Sequence, residues 1–305
     1  MKIAVISPVS AESTPVETET RRRIGSDFAE LVKARLTLLV LLTTAVGFYL
    51  GAAGSINYAA LIHAVFGTAL AAAGAAALNQ WWERRFDALM QRTKTRPIPG
   101  GRMLPRHALI VGSLLALAGV IYLARACNGL SASLAAATIV IYIFAYTPLK
   151  RISTSNTLVG AIPGALPPMI GWAAATGRLD PGAWSLFAIL FFWQLPHFFA
   201  IAWMYRDDYA RAGFQMVSKG DETGTRSASQ SVLFCIVLLL VSGIPAFLRV
   251  VNSWYLLAEL ILNGLFIFAA MRFLRTQAAT DARKLFFASI IYLPLLLLAL
   301  VLTKS

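Results

Sequence analysis

The sequence predicts an all-α polytopic membrane protein, in which nine transmembrane helices form a bundle around a central cavity open to the cytoplasmic side. Three observations predict it. Of the 305 residues, 58% are hydrophobic and 13% are charged, well below the roughly one quarter charged that soluble domains carry. Nine charge-poor stretches come close to or exceed the ~18 apolar residues that a bilayer crossing requires. The basic residues are also one-sided: with the N-terminus in the cytoplasm, 23 of the 27 Lys and Arg fall in inner segments, leaving Arg125, Arg178, Arg249 and Lys304 outside. That asymmetry follows the positive-inside rule. The net charge of +13 is therefore a topology signal rather than a nucleic-acid footprint, and nine crossings put the C-terminus on the outer side.

Taken in order, the first 23 residues lack an apolar run long enough for a signal peptide, and Glu12, Glu17 and Glu19 argue against a transit peptide. Residues 1–30 are expected to be a disordered cytoplasmic tail ahead of a single domain at 31–305. The first crossing, 36–54, follows the interfacial anchors Lys33 and Arg35. The second, 58–80, is rich in Ala and Gly, which lets neighbouring helices approach closely; His63 near its outer end reads as a packed or interfacial residue. Crossings at 107–124 and 130–146 follow, and Tyr146 and Lys150 sit four apart at the inner surface with Arg151 beside them. On residue type alone these three read as headgroup-level anchors. The fifth crossing, 157–176, holds Pro163, Pro167 and Pro168 with Gly160, Gly164 and Gly171. It reads either as a kinked cavity wall or as small-residue packing. In the sixth, 182–204, His197 lies eleven residues before Asp208, so the two share a face if the helix continues, while Asp207 points elsewhere. Crossings at 231–248, 252–271 and 285–303 complete the chain, with Glu259 and Asn263 one turn apart near mid-membrane. Cys127 and Cys235 are lone thiols, and no disulfide is implied.

The chemistry is concentrated where the second crossing meets water. Asn79, Glu83 and Asp87 recur every four residues, so their oxygens share one helix face. Arg92, Lys94 and Arg96 follow at once, before Pro97 and Pro99. Oxygen ligands at a helix end suit Mg²⁺, which bridges one or two carboxylates to substrate phosphates. Asp207 or Asp208 in the second charged inner loop is a candidate holder of a second ion. Arg92, Lys94, Arg96 and Lys150 are candidates for the remaining phosphate charge. There is no G-x-x-x-x-G-K-[ST] nucleotide loop, so the diphosphate is expected to be that of a lipid. Its polyprenyl chain would lie among apolar helices, and charge stabilisation of the departing diphosphate would favour an allylic carbocation.

With these residues in hand, the chain resembles the UbiA-type intramembrane prenyltransferases, and among them the branch that farnesylates haem. The motif N-x-x-x-[DE]-x-x-x-D-x-x-M-x-R-T-x-x-R-P runs from Asn79 to Pro97. YTPLKR at 146–151, GALPPMIGW at 164–172, QLPHF at 194–198 and DYARAG at 208–213 are similar to further signatures of that branch, and the likeness covers about 33–216. The resemblance implies an Mg²⁺-dependent transfer of farnesyl from farnesyl diphosphate to the 2-vinyl group of protohaem IX (haem B, a substrate), with addition of water. The products are haem O and diphosphate. It implies Asn79, Glu83, Asp87 and Asp208 as catalytic residues, and Asn79, Glu83, Asp87, Asp207 and Asp208 as metal ligands. Arg92, Lys94, Arg96, Lys150 and Arg151 would bind diphosphate, and His197 and Tyr146 would contact haem. The setting implied is a bacterial-type inner membrane, with haem A synthase or terminal-oxidase assembly proteins as partners and no nucleic acid. The sequence departs from the family at Glu83, where many relatives carry Asp. A second D-x-x-x-D is also absent, since Arg211 and Ala212 stand four after Asp207 and Asp208. The competing readings are another UbiA-type prenyltransferase with an aromatic acceptor, and a secondary transporter with His197 and Glu259 as a proton relay.

Overall fold

A computed structural model describes residues 24–305. Within them nine helices are long and apolar enough to cross a membrane. They are α1 Ala34–Gly51, α2 Tyr58–Asp87, α3 Pro105–Ala126, α4 Gly129–Leu149, α5 Asn156–Thr176, α6 Pro181–Met204, α7 Thr225–Phe247, α8 Trp254–Thr276 and α9 Ala279–Leu302. Local chemistry sets several of the ends. Asn57 opens α2 by accepting from the Ala60 amide at 3.0 Å, and Asn128 opens α4 by accepting from the Ser131 amide at 2.9 Å. Helix α5 stops where Gly177 takes φ +71°, the left-handed conformation that closes many helices.

Residues 1–23 of the expected tail lie outside the described residues. Residues 24–30 are helical and run into Leu31, which is fully buried. The Gln80 amide donates to the carbonyls of Glu30 and Leu31 at 2.8 Å, while Arg102 bridges Asp27 and Glu30. A segment that reads as tail by composition is thus held against α2 and the loop that follows it.

Helices adjacent in sequence pack side by side, and α9 returns to pack on both α6 and α1, which closes the ring. The Lys304 ammonium reinforces the closure by donating to the carbonyls of Tyr49 and Ala52 at 2.6 Å. Helices α2 and α3 touch backbone to backbone: a Cβ at Gly74 would collide with Ala116. This is the close approach that the Ala/Gly-rich stretch predicts.

The proline-rich fifth crossing does break, at Leu166, between Asn156–Ala165 and Pro167–Thr176. Its middle serves packing rather than the cavity. Gly160 faces the Tyr146 ring, Gly164 the Gln194 amide, and Gly171 the Thr44 carbonyl. Only Asn156 and Thr157, at one end, reach the cavity. Glu259 is likewise accounted for by packing. Its Oε1 accepts from Ser242 Oγ at 2.5 Å and from Asn263 Nδ2 at 2.9 Å, and the Tyr292 hydroxyl donates to Asn263 Oδ1 at 3.1 Å. This acidic side chain near mid-membrane is a satisfied stitch between α7, α8 and α9.

Candidate active site

Helix α2 continues without interruption past the apolar stretch to Asp87, so Asn79, Glu83 and Asp87 do project from one face. All three are buried, and they line one end of a cavity of about 720 Å³. The same end receives Lys33, Arg92, Arg96, Tyr146 and Lys150; the deeper wall is apolar, with Leu39, Trp193, Phe198, Phe286 and Leu293 around His197. Charge and apolar surface are therefore segregated within a single cavity.

Each carboxylate meets one cation. Lys150 Nζ donates to Glu83 Oε1 at 2.7 Å, and Arg96 Nη1 donates to Asp87 Oδ2 at 2.8 Å. Removing one partner of such a buried pair leaves an uncompensated charge and costs about 3–5 kcal/mol. The second oxygens, Glu83 Oε2 and Asp87 Oδ1, take no hydrogen bond among the described residues. Asn79 is placed differently. Its Oδ1 accepts from Lys33 Nζ at 2.8 Å and from the Tyr142 hydroxyl at 3.2 Å, and its Nδ2 donates to Thr147 Oγ1 at 3.1 Å. The amide oxygen expected on a metal is occupied here by the protein's own cation.

Two lysines at this end are tuned in opposite directions. Burial, and then the neighbouring Arg96 charge, pull the Lys33 ammonium down to about 7. Burial also acts against the charged form of Lys150, but contact with Glu83 outweighs it and holds that ammonium well above the usual lysine range. Lys33 also sits at φ 50°, ψ 49°, a left-handed conformation that costs a non-glycine residue on the order of 1–3 kcal/mol. The strain aims its side chain into the cavity. The tyrosines are placed by a π-helical turn, Ile141–Tyr146, inside α4; such turns interrupt the α register and recur at functional sites. It stacks Tyr142 on Tyr146 at 5.6 Å and leaves the Tyr146 ring under Lys150 Nζ at 4.4 Å.

Other expected site residues do not gather here. Lys94 is exposed and absent from the cavity wall. Arg151 lays its guanidinium over the Phe86 ring at 4.5 Å, outside the cavity. Helix α6 ends at Met204, and the chain turns through Tyr205 into a short helix, Arg206–Arg211. The face shared by His197 and Asp208 therefore does not exist. Asp207 is exposed, and its nearest cation is Arg206 at 4.0 Å. Asp208 is buried, but its two oxygens accept from the backbone amides of Gln91 and Arg92 at 3.3 Å, and Arg211 pairs with it. It braces the loop that follows α2 and does not face the cavity. Of that loop, Arg92 does reach the wall, with its guanidinium over the rings of Tyr205 and Tyr209.

Among the described residues no group of three or more His, Cys, Asp or Glu could hold a metal ion. An all-protein cage is therefore not what this donor set offers. Two carboxylates with unpartnered oxygens beside phosphate-compatible cations do fit Mg²⁺, which commonly binds through one or two carboxylates and completes its shell with substrate phosphate and water. The residues that sequence reasoning missed are Lys33 and Tyr142, together with the α9 side chains of the apolar wall. Lys33 was visible as the last basic residue before α1, where it reads as an anchor; nothing in an unbroken apolar run marks which α9 residues face inward.

The profile of the UbiA prenyltransferase family matches residues 40–291. The protoheme IX farnesyltransferase of Solibacter usitatus (strain Ellin6076) is 44% identical over 279 residues, covering 88% of this chain and 96% of that protein. Among solved structures, one of a digeranylgeranylglyceryl phosphate synthase superposes with TM-score 0.76 at 15% identity, covering 91% of this chain and 97% of that one. A UbiA homolog from Archaeoglobus fulgidus, bound to GPP and Mg²⁺, superposes with TM-score 0.63 at 14% identity, covering 90% and 99%.

Proposed function

We propose, on the premise that this chain belongs to the UbiA prenyltransferase family, that it transfers farnesyl from farnesyl diphosphate to the 2-vinyl group of protohaem IX, giving haem O and diphosphate. The observation that carries this reading is the segregated cavity. Two buried carboxylate–cation pairs occupy one end, and an apolar wall suited to a porphyrin and an isoprenoid chain lines the rest.

Each residue has a task that its position supports. Arg96, Lys150, Arg92 and Lys33 receive the diphosphate charge at the polar end. Glu83 and Asp87 would hold Mg²⁺, since each keeps an oxygen without a hydrogen bond, and the ion would supply positive charge that stabilises the departing diphosphate. The farnesyl C1–O bond breaks with its electron pair on the diphosphate, and the vinyl π pair forms the new bond to C1. Water then adds to the cation left beside the porphyrin ring and releases a proton. Tyr142 and Tyr146 present aromatic faces near the site of positive charge. The apolar wall keeps water from the allylic cation until the acceptor has reacted.

Asn79 acts here through Lys33, and Asp208 acts by bracing the 90–92 loop. The charged end faces the cytoplasm of a bacterial-type inner membrane, because it carries the lysine- and arginine-rich loops. A proton-relay transporter would need Glu259 and His197 in one network, whereas Glu259 bonds Ser242 and Asn263 and His197 bonds Ser289.

The direct test incubates purified protein with haem B, farnesyl diphosphate and Mg²⁺ and weighs the haem products by mass spectrometry. A haem heavier by one farnesyl group and one hydroxyl group is expected, since the added water gives up a proton. No such product, under conditions where a known enzyme forms it, overturns the acceptor assignment.

A further inference from the structure

His197 lies in the apolar wall between Trp193 and Phe286, with ring centroids at 5.6 and 4.8 Å. Its Nδ1 is 2.7 Å from Ser289 Oγ on α9. The same hydroxyl lies 2.6 Å from the Phe286 carbonyl oxygen. Two oxygens that close need a hydrogen between them, and the carbonyl has none to give. A serine hydroxyl has one proton, so Ser289 donates it to Phe286 and can only accept from His197. The neutral ring then carries its proton on Nδ1, and the Nε2 lone pair is left free. Nε2 takes no hydrogen bond among the described residues, and the ring lines the cavity.

Ser289 is itself held from two neighbouring helices, α6 and α8. One turn before His197, the Trp193 indole N–H donates to the Ser289 carbonyl at 2.9 Å. One turn beyond Ser289, Tyr292 is tied to Asn263. The register of α9 against α6 and α8 is thereby set, and a stacked, singly donating imidazole is held in one orientation.

We propose that Ser289 is a positioning residue, which holds His197 as the Nδ1–H tautomer so that Nε2 serves as the axial ligand for the iron of the porphyrin acceptor. The inference rests on haem being the acceptor and extends it to how the macrocycle is oriented. The logic is that of metal-binding histidines generally, where the hydrogen bond made by one nitrogen decides which nitrogen is free to ligate.

The test uses the full-length protein labelled with ring-¹⁵N histidine. Its three histidines, His63, His107 and His197, are assigned with a His197→Gln variant, and zinc protoporphyrin IX serves as a diamagnetic probe. In the wild type, His197 is expected to show a protonated Nδ1 and an unprotonated Nε2, with zinc protoporphyrin shifting Nε2 alone. Ser289→Ala is expected to return His197 toward the Nε2–H form and to weaken porphyrin binding about 10–100-fold, the usual effect of losing such a supporting contact. Ser289→Thr, which keeps the hydroxyl, is expected to restore both. A wild-type His197 protonated on Nε2, or a Ser289→Ala protein with unchanged tautomer and porphyrin affinity, overturns the proposal even if farnesylated haem is formed. The expected tautomer and porphyrin shifts, with no farnesylated haem, support the Ser289 assignment while overturning the reaction.

Discussion

Asp87 and Asp208 stand at the same end of the bundle, each buried and each beside an arginine, yet their surroundings differ in kind. Asp87 ends a long helix and turns toward the cavity, where Arg96 takes one oxygen and leaves the other open. Asp208 sits on a short helix after a break and spends both oxygens on the amides of Gln91 and Arg92. One carboxylate is placed to meet a ligand; the other holds the loop that carries Arg92 and Arg96. A charged residue's task is thus set by what its remaining lone pairs face rather than by the charged run around it.

Variants can break that contrast, in descending order of expected effect. Asp87→Asn keeps the shape of the side chain but removes its charge, and turnover is expected to fall by about 100-fold or more, as for loss of a principal electrostatic contact. The folded protein should persist in size-exclusion chromatography; wild-type turnover would remove Asp87 from the mechanism. Glu83→Gln is expected to cost about 3–5 kcal/mol of stability as well as activity, because Lys150 is left buried and unpaired. Adding Lys150→Met should recover much of the thermal stability without recovering turnover. If activity returns with stability, the pair is structural only. Arg96→Ala is expected to weaken farnesyl diphosphate binding by about tenfold, the equivalent of one charge-assisted contact, and an unchanged donor affinity would count against a phosphate role.

Asp208→Asn sharpens the comparison from the other side. It should lower stability by about 1–3 kcal/mol, since one of its two oxygens becomes a donor facing a backbone amide. Donor affinity should change less than in Arg96→Ala, and a larger loss of donor affinity would place Asp208 among the binding groups. Asp207→Asn should leave turnover and melting temperature unchanged, because the side chain is exposed and its nearest cation is 4.0 Å away. A marked loss of turnover would mean the second acidic loop takes part in chemistry after all.

The relation between α2 and α9 is a second instance of the same lesson. Helix α2 announces itself in the sequence, because charge on one face of a helix leaving a membrane is periodic and conspicuous. The inward side of α9 is silent, because lipid-facing and cavity-facing positions are equally apolar. Ser289, Phe286 and Leu293 are recognised only once α9 is seen to close the ring against α6 and α1.

The sequence by itself determined the nine crossings, the sidedness of charge, and the grouping of Asn79, Glu83 and Asp87. These follow from apolar length, the cost of burying charge, and the 3.6-residue period, all of which act within one segment. Tertiary structure alone decided that Lys33 fills the Asn79 oxygen, that a break at Tyr205 turns Asp208 onto a backbone loop, and that Ser289 meets His197. Each of these joins residues between 46 and 117 positions apart, and such pairings depend on how finished helices pack against one another, which no local pattern encodes.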